Sequence, residues 1–519
     1  MDKHDERYMW LCLSVIVVGT FMAILDSSIV NVAIPKMMTI FGAAENQIEW
    51  VLTGYMLTMS IVIPLTGYLT DRFGGKNIYI FALIIFTIGS ALCGLATSTN
   101  TMVASRVVQA IGGGMIMPVG MTMLLQTVPL EKRGLALGVW GIAAMAAPAI
   151  GPTLSGYIVQ YMNWRLIFTI NIPVGIIGVT LAVFLLRNSP KNYDKRFDFG
   201  GAITSATCLY TLLLGLAKVS DKGWTSAYTI VLFTISFVSL IAFIFIELNH
   251  SEPLLDLRVT KNFPFTLSLI ISTVTTIAMF GAIFLMPIYM QNLRGYSAMQ
   301  SGMMMLPQAI VTGIMMPISG KLFDRYGAKW LTIIGLIIVS GCTYMLSKLT
   351  LDTPYSTVTL IMAVRGFGNG LAMMPMQTEG MNSVPQELTA RATALNTTIR
   401  QVAGSLGIAI LTTILQSRQA FHTVIFGQSI NTNSPTLAKA QALLQGAATV
   451  KGMNPSEGKS LLFLQVYGQV AKSATVVAMN DTFIVATGIC VAGVIISFFI
   501  KKKSSNQNSN EIESVNMES

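Results

Sequence analysis

Asp26 is the residue around which chemistry can be built. It lies in Leu25-Asp26-Ser27-Ser28-Ile29-Val30-Asn31-Val32-Ala33-Ile34-Pro35, inside an apolar stretch over residues 9–34. A carboxylate in hydrocarbon costs about 2.5–3.5 kcal/mol even on the lenient insertion scale, so it must face a cavity or a partner. Burial favours the protonated form of a carboxylic acid and a nearby cation favours the ionised form. A group balanced between the two can load and release a proton. Arg106 is the expected partner, because helical rise places Asp26 about 13 Å and Arg106 about 8 Å below the same surface. Gln109, one turn from Arg106, extends a polar lining; a purely structural charge pair is the competing reading.

Two further constellations lie at the ends of apolar stretches. Gly67-Tyr-Leu-Thr-Asp71-Arg72-Phe-Gly74-Gly-Lys76 returns as Gly320-Lys-Leu-Phe-Asp324-Arg325-Tyr-Gly327-Ala-Lys329, with six of ten positions identical at an offset of 253. The carboxylates can bind the amino terminus of a neighbouring helix, the arginines can reach across, and the glycines permit sharp reversal. That combination suits a gate, or a fixed topology anchor. Between the two copies, Ala147-Pro148-Ala-Ile-Gly151-Pro152-Thr-Leu-Ser155-Gly156 places two prolines and several small residues in one apolar stretch. Pro148, Gly151, Pro152 and Gly156 mark it as a hinge or as a kinked packing helix.

The elements that must hold these residues follow from composition. The chain has 519 residues, of which 53% are hydrophobic and 11% charged, with a mean hydropathy of +0.64. Soluble domains carry about 25% charge, so a soluble enzyme, a nucleic-acid binder and a disordered scaffold are all excluded. A helix spans hydrocarbon in roughly 20 residues, and fourteen stretches meet that measure, from 9–34 to 479–500. The fold class expected is an all-α polytopic membrane protein. Most of the 33 lysines and arginines fall in the terminal tails and even-numbered connections. The short odd-numbered loops hold only Lys36, Arg165, Lys218, Lys222, Arg294 and Lys348. The positive-inside rule then puts both termini in the cytoplasm. Arg106, Arg365 and Arg400 are the cations inside apolar stretches.

A looser echo pairs Arg106…Gly112…Met117-Pro118 with Arg365…Gly370…Met374-Pro375. Repeated halves of a transporter place a binding site at their interface and rock around it. The expected organisation is a six-helix bundle over 1–187, a linker with two inserted helices over 188–262, and a second six-helix bundle over 263–500. Segment 416–478 is expected outside the cytoplasm, its stretch from Ser434 onward helical on the membrane surface, and 501–519 as a disordered tail. A cavity between the bundles would draw on Asn31, Gln109, Met117, Gln308 and Met374. Flexible thioethers suit a promiscuous apolar pocket, and the chain has 32 methionines.

Other chemistry is missing from the pattern. The five cysteines are scattered in apolar runs without CxxC spacing, and His4, His250 and His422 lie in the tail or in loops. No metal cluster is expected, no phosphate-binding GxxxxGK[ST] occurs, and no nucleophile–base set lies in a span. The reading is a non-enzyme with no cofactor, no metal and no nucleic-acid partner, driven by a gradient or by its cargo.

These residues resemble the major facilitator superfamily, specifically its fourteen-helix drug:proton antiporter branch (the EmrB/QacA family), over residues 9–500. Leu25–Pro35 is similar to that branch's helix-1 signature, Gly67–Lys76 to the superfamily loop motif and Arg106-Val-Val-Gln109 to its helix-4 motif. Ala147–Gly156 resembles the antiporter motif of helix 5, and Asn163-Trp164-Arg165…Asn171-Ile-Pro173-Val-Gly175 is also typical. Ala110 departs from the usual glycine, and helices 9–11 lack the mid-membrane carboxylate of some cation-exporting relatives. The resemblance implies a major facilitator fold of two six-helix repeats plus two inserted helices. It further implies proton-coupled export of amphipathic compounds across a bacterial cytoplasmic membrane, with membrane lipid and protons as partners. Export of a lipid, sugar or metabolite on the same fold is one alternative, and a non-transporting receptor or assembly subunit is another.

Overall fold

A computed structural model describes residues 3–500 apart from 190, 195, 251 and 430–454. Fourteen helices are long and apolar enough to span a membrane, and no strand occurs among the described residues. In chain order they are α1 (Lys3–Phe41), α2 (Trp50–Phe73), α3 (Gly75–Leu95), α4 (Thr99–Thr127), α5 (Arg133–Tyr161), α6 (Leu166–Leu185) and α7 (Phe199–Lys222). There follow α8 (Ala227–Asn249), α9 (Phe263–Leu293), α10 (Ala298–Tyr326), α11 (Ala328–Leu346), α12 (Tyr355–Asn382), α13 (Thr389–Ser429) and α14 (Pro455–Ser497).

Local chemistry sets the starts and reversals. Ser98 and Ser297 begin α4 and α10 with reciprocal capping boxes to Thr101 and Gln300, and Asn262 accepts from the backbone of Phe265 at the head of α9. The repeated loop motif turns twice on glycine: Gly74 at φ 85° separates α2 from α3, and Gly327 at φ 75° separates α10 from α11. Only glycine takes that conformation without a Cβ clash.

Packing repeats as the sequence does. In the first half α1 packs on α4, α5 and α6, and α4 on α2 and α3, while α3 meets α6. In the second half α9 packs on α12, α13 and α14, and α12 on α10 and α11, while α11 meets α14. Every pairing has its counterpart eight positions later. The halves meet through two equivalent seams, α5 on α10 and α2 on α13. The inserted α7–α8 hairpin lies across the second seam, with α7 against both α2 and α13. Lys218 pairs with Glu49 beside α2 at 2.5 Å, and Trp224 donates to Thr413 of α13 at 2.8 Å.

The α5–α10 seam is close at both ends. Backbone meets backbone where Gly134 faces Gly320, and again where Gly138 faces Pro317; a Cβ on Gly302 would lie 2.9 Å from the Thr153 hydroxyl. Small residues are what allow helices to approach so nearly.

The helices are longer than hydropathy suggests at one place. The stretches 393–415 and 479–500 form the inner parts of helices of 41 and 43 residues. Asp481, near the outer limit of the apolar stretch of α14, ties that helix to the outer part of α13, with His422 at 2.9 Å and Arg418 at 3.2 Å. Polar residues end a hydrophobic run but not a helix, so 416–429 continues α13 where a connection was expected, and 455–478, expected as a separate surface helix, is continuous with α14. The rest of the expected surface stretch from Ser434, and the tail 501–519, lie outside the described residues.

Gly320→Val should force the two bundles apart at the Gly134 contact. Overpacking of this kind costs about 1–3 kcal/mol, so the purified variant should melt below the parent chain in a thermal-shift assay.

Candidate functional site

Five helices of the first bundle converge on Asp26, which is 1% exposed. Arg106 Nη1 on α4 donates to Asp26 Oδ2 at 2.5 Å. The other carboxylate oxygen, Oδ1, accepts from Gln109 Nε2 at 2.9 Å and from Asn171 Nδ2 of α6 at 2.7 Å. Gln109 is oriented in turn, because its Nε2 also donates to Ser90 of α3 and its Oε1 accepts from Arg106. Arg106 completes its shell on α2: its Nε donates to the Val51 carbonyl at 3.4 Å, and its Cζ lies 3.9 Å from the Tyr55 ring centroid.

This arrangement answers the cost of burying charge. An ion pair taken from water recovers its desolvation penalty only with good geometry and further hydrogen bonds, and here the carboxylate accepts three. Of this network, Arg106 Nη2 and the Tyr55 hydroxyl are left buried without a hydrogen-bond partner among the described residues. The close approach of α3 and α4 depends on Gly89, where a Cβ would collide with the backbone of Gln109. Asp26 and Arg106 therefore meet as their matched depths suggested. Gln109 serves the carboxylate directly. Asn171 was named only as part of a family motif, without a site role, and Tyr55 not at all; an amide among the mostly apolar residues of α6 was the visible signal, whereas the cation–π face of Tyr55 left none.

The hinge motif connects to the same helix that carries Asp26. Pro152 has no N–H to give the Pro148 carbonyl four residues earlier, and Ser28 of α1 donates to that carbonyl instead at 3.3 Å. A Cβ on Gly151 would lie 2.5 Å from Ser28 Oγ, and Ser155 donates to the Ile29 carbonyl at 2.6 Å. One turn beyond, Pro152 and Thr153 face Gly302 of α10. The helix stays continuous through both prolines. Gly156 faces open space.

At the end of the bundle bearing the loop motif, hereafter the motif end, Asp71 lies 3.5 Å from Arg391 at the start of α13. Arg391 also reaches Asp256 in the connection from α8 to α9 at 3.5 Å. Gly67 makes room, since a Cβ there would sit 3.2 Å from the Arg391 Cα. Arg72 bonds Tyr68 of its own helix. In the second copy Asp324 lies beside Gly134, and Arg325 is exposed over the Tyr326 ring. The motif end is thus closed on both seams. Arg391 was visible in the sequence only as one basic residue among many; its position between two carboxylates is a tertiary fact.

The residues expected to line a cavity are not gathered at one place. Gln109 belongs to the ion-pair network, and Met374 is 1% exposed within the apolar core. Met117 packs half-buried on the same core. Asn31 is exposed on α1, and Gln308 is half-buried on α10 with its Oε1 lacking a partner. No group of three or more metal-ligating side chains occurs among the described residues.

The sequence model described as the Major Facilitator Superfamily matches residues 16–408. Over 501 residues the chain is 39% identical to YhcA of Bacillus subtilis strain 168, an uncharacterized MFS-type transporter, covering 96% of this chain and 94% of that protein. Over 486 residues it is 29% identical to the multidrug export protein EmrB of Escherichia coli K12, covering 93% of each. Its fold is similar to that of the proton:xylose symporter XylE, with a TM-score of 0.59 at 12% identity, over 96% of this chain and 97% of that one.

Removing one partner of a buried ion pair leaves an uncompensated charge, which costs about 3–5 kcal/mol. Arg106→Gln should therefore melt well below the parent chain. Adding Asp26→Asn to it should restore much of the loss; a double variant melting lower still would contradict the pairing.

Proposed function

Since the chain belongs to the major facilitator superfamily, in its fourteen-helix drug:proton antiporter branch, and is a multi-pass cell-membrane transporter, we propose that it exports amphipathic toxic compounds in exchange for incoming protons. The observation that carries this reading is the buried Asp26 carboxylate at the meeting point of five helices, opposite Arg106. In this reading the motif end is cytoplasmic, as the distribution of lysine and arginine suggests.

Asp26 is the proton carrier. In the conformation described it is paired as a carboxylate. A proton delivered to it removes the charge that holds Arg106, Gln109 and Asn171, and with it the reason for α1, α4 and α6 to stay in this register. A contiguous set of contacts leads from there to the seam between the bundles. Asp26 and Ser28 share α1, Ser28 bonds the proline-freed carbonyl of α5, and α5 packs along α10. Bending of α5 at Pro148 and Pro152 would let one bundle rock against the other. The Asp71–Arg391–Asp256 contact then acts as a cytoplasmic gate that forms in one state and breaks in the other. The Gly134–Gly320 contact at the motif end of the α5–α10 seam opens with it.

The energetics are sufficient. One proton moving through ~100 mV supplies about 2.3 kcal/mol. At about 1.4 kcal/mol per tenfold, this supports a gradient of roughly 50-fold.

Two measurements test the scheme. Proteoliposomes carrying Asp26→Asn should show no substrate accumulation in response to an imposed pH gradient while retaining substrate binding; accumulation at the parent rate would refute the carrier role. Asp71→Asn should slow turnover several-fold and leave substrate affinity nearly unchanged, as read from kcat and KM of transport. An unchanged kcat would remove Asp71 from the gate.

A further inference from the structure

Arg106, Arg365 and Arg400 lie inside the apolar stretches, and two of them show how this chain settles a buried guanidinium. Arg106 has a carboxylate. Arg365, its counterpart in the second half, donates to the Ala278 carbonyl at 3.1 Å and to the Thr343 hydroxyl at 3.4 Å. Arg400 has neither. It sits about 16 Å into α13 from Thr389, half-buried, and among the described residues no hydrogen bond or ion pair reaches it. Its side chain keeps some accessible surface, and that surface faces a narrow pocket between α9, α12 and α13.

The pocket has two kinds of wall. Ser272 and Gln377 stand beside Arg400 with no hydrogen-bond partner among the described residues, whereas Ile271, Met373 and Met376 are apolar. One turn from Met373 along α12, Asn369 is 1% exposed, with both amide atoms unpartnered. Unpaired donors in a low-dielectric site are costly. A planar fork of N–H groups matches a carboxylate, and adjacent thioethers adapt to an apolar body.

We propose that Arg400, with Ser272 and Gln377, forms a subsite for the anionic headgroup of an amphipathic organic carboxylate, whose apolar body lies against Met373 and Met376. This assignment rests on the export reading and narrows its cargo. It also separates the two charges of the cycle: the proton is carried on α1 in the first bundle and the anion is received on α13 in the second. With no carboxylate partner among the described residues, the Arg400 guanidinium is available to a substrate. An inside-negative potential drives an exported anion outward, so proton and cargo both draw on the same field.

The full chain in neutral phosphatidylcholine nanodiscs provides the test, with no gradient applied. The probes are the fluorescent carboxylate 11-(dansylamino)undecanoic acid and its methyl ester. The parent chain should bind the acid at least tenfold more tightly than the ester. In Arg400→Gln that ratio should fall to near one, and Arg400→Lys should keep an intermediate ratio; ester binding reports that each variant is folded. Equal affinities in the parent chain, or a ratio unchanged in Arg400→Gln, would overturn the assignment. So would loss of the acid's preference when phosphatidylglycerol is added, which would make the pocket a lipid-headgroup site. Because binding is read without a gradient, a failed Asp26 experiment leaves this result standing, and a failed ratio leaves gradient-driven export of uncharged compounds intact.

Discussion

An ionised group inside a bilayer must find its counter-charge in the protein, and the first bundle is built around that requirement. Asp26 cannot be solvated where α1 carries it, so α4 supplies Arg106 and Gln109, α6 supplies Asn171, and α3 holds Gln109 through Ser90. The helices come close enough because the positions between them are glycines, Gly89 above all. The pair is expensive to assemble and easy to upset. A single proton on Asp26 would take the pair from neutral to singly positive, leaving Arg106 without a counter-charge.

The two halves share a packing scheme but not a chemistry. Each bundle repeats the same helix contacts, and each carries an arginine at the same place on its fourth helix. In the second half that arginine meets a backbone carbonyl of α9 where the first half offers a carboxylate on α1. Unpartnered buried polar atoms of the second half include Nη1 of Arg365 itself and both amide atoms of Asn369, while Arg400 lines a pocket between α9, α12 and α13. Duplication supplied a symmetric scaffold, and substitution at a few membrane-buried positions assigned different tasks to its halves.

The seams between the halves show how motion can be limited to particular places. Along α5 and α10 the contact is glycine against glycine at one end and glycine against threonine at the other, which holds the axes close without interlocking large side chains. Along α2 and α13 the contact at the motif end is electrostatic, through Arg391. The α7–α8 hairpin lies over that seam and touches both sides, by Lys218 to Glu49 and by Trp224 to Thr413. The inserted pair therefore adds side-chain links across the α2–α13 seam, whereas the α5–α10 seam is held by close backbone approach.

Much of this was legible before folding was considered. Hydropathy counts residues against the thickness of hydrocarbon, so the number of spans, the duplicated loop motif and the turns at Gly74 and Gly327 follow from the amino acids alone. The isolation of Asp26 and its matched depth with Arg106 follow in the same way, because rise per residue is a local property. What the tertiary structure decided is which distant side chains share a space. Asn171 is 145 residues from Asp26 and Arg391 is 320 from Asp71, and no local rule relates them. The extension of α13 and α14 past the apolar runs was hidden for another reason: a helix in water is held by packing on its neighbour, which hydropathy does not register. Arg400 shows the division most clearly. Its charge and depth belong to the sequence, whereas its lack of a partner among the described residues is a property of the helices that surround it.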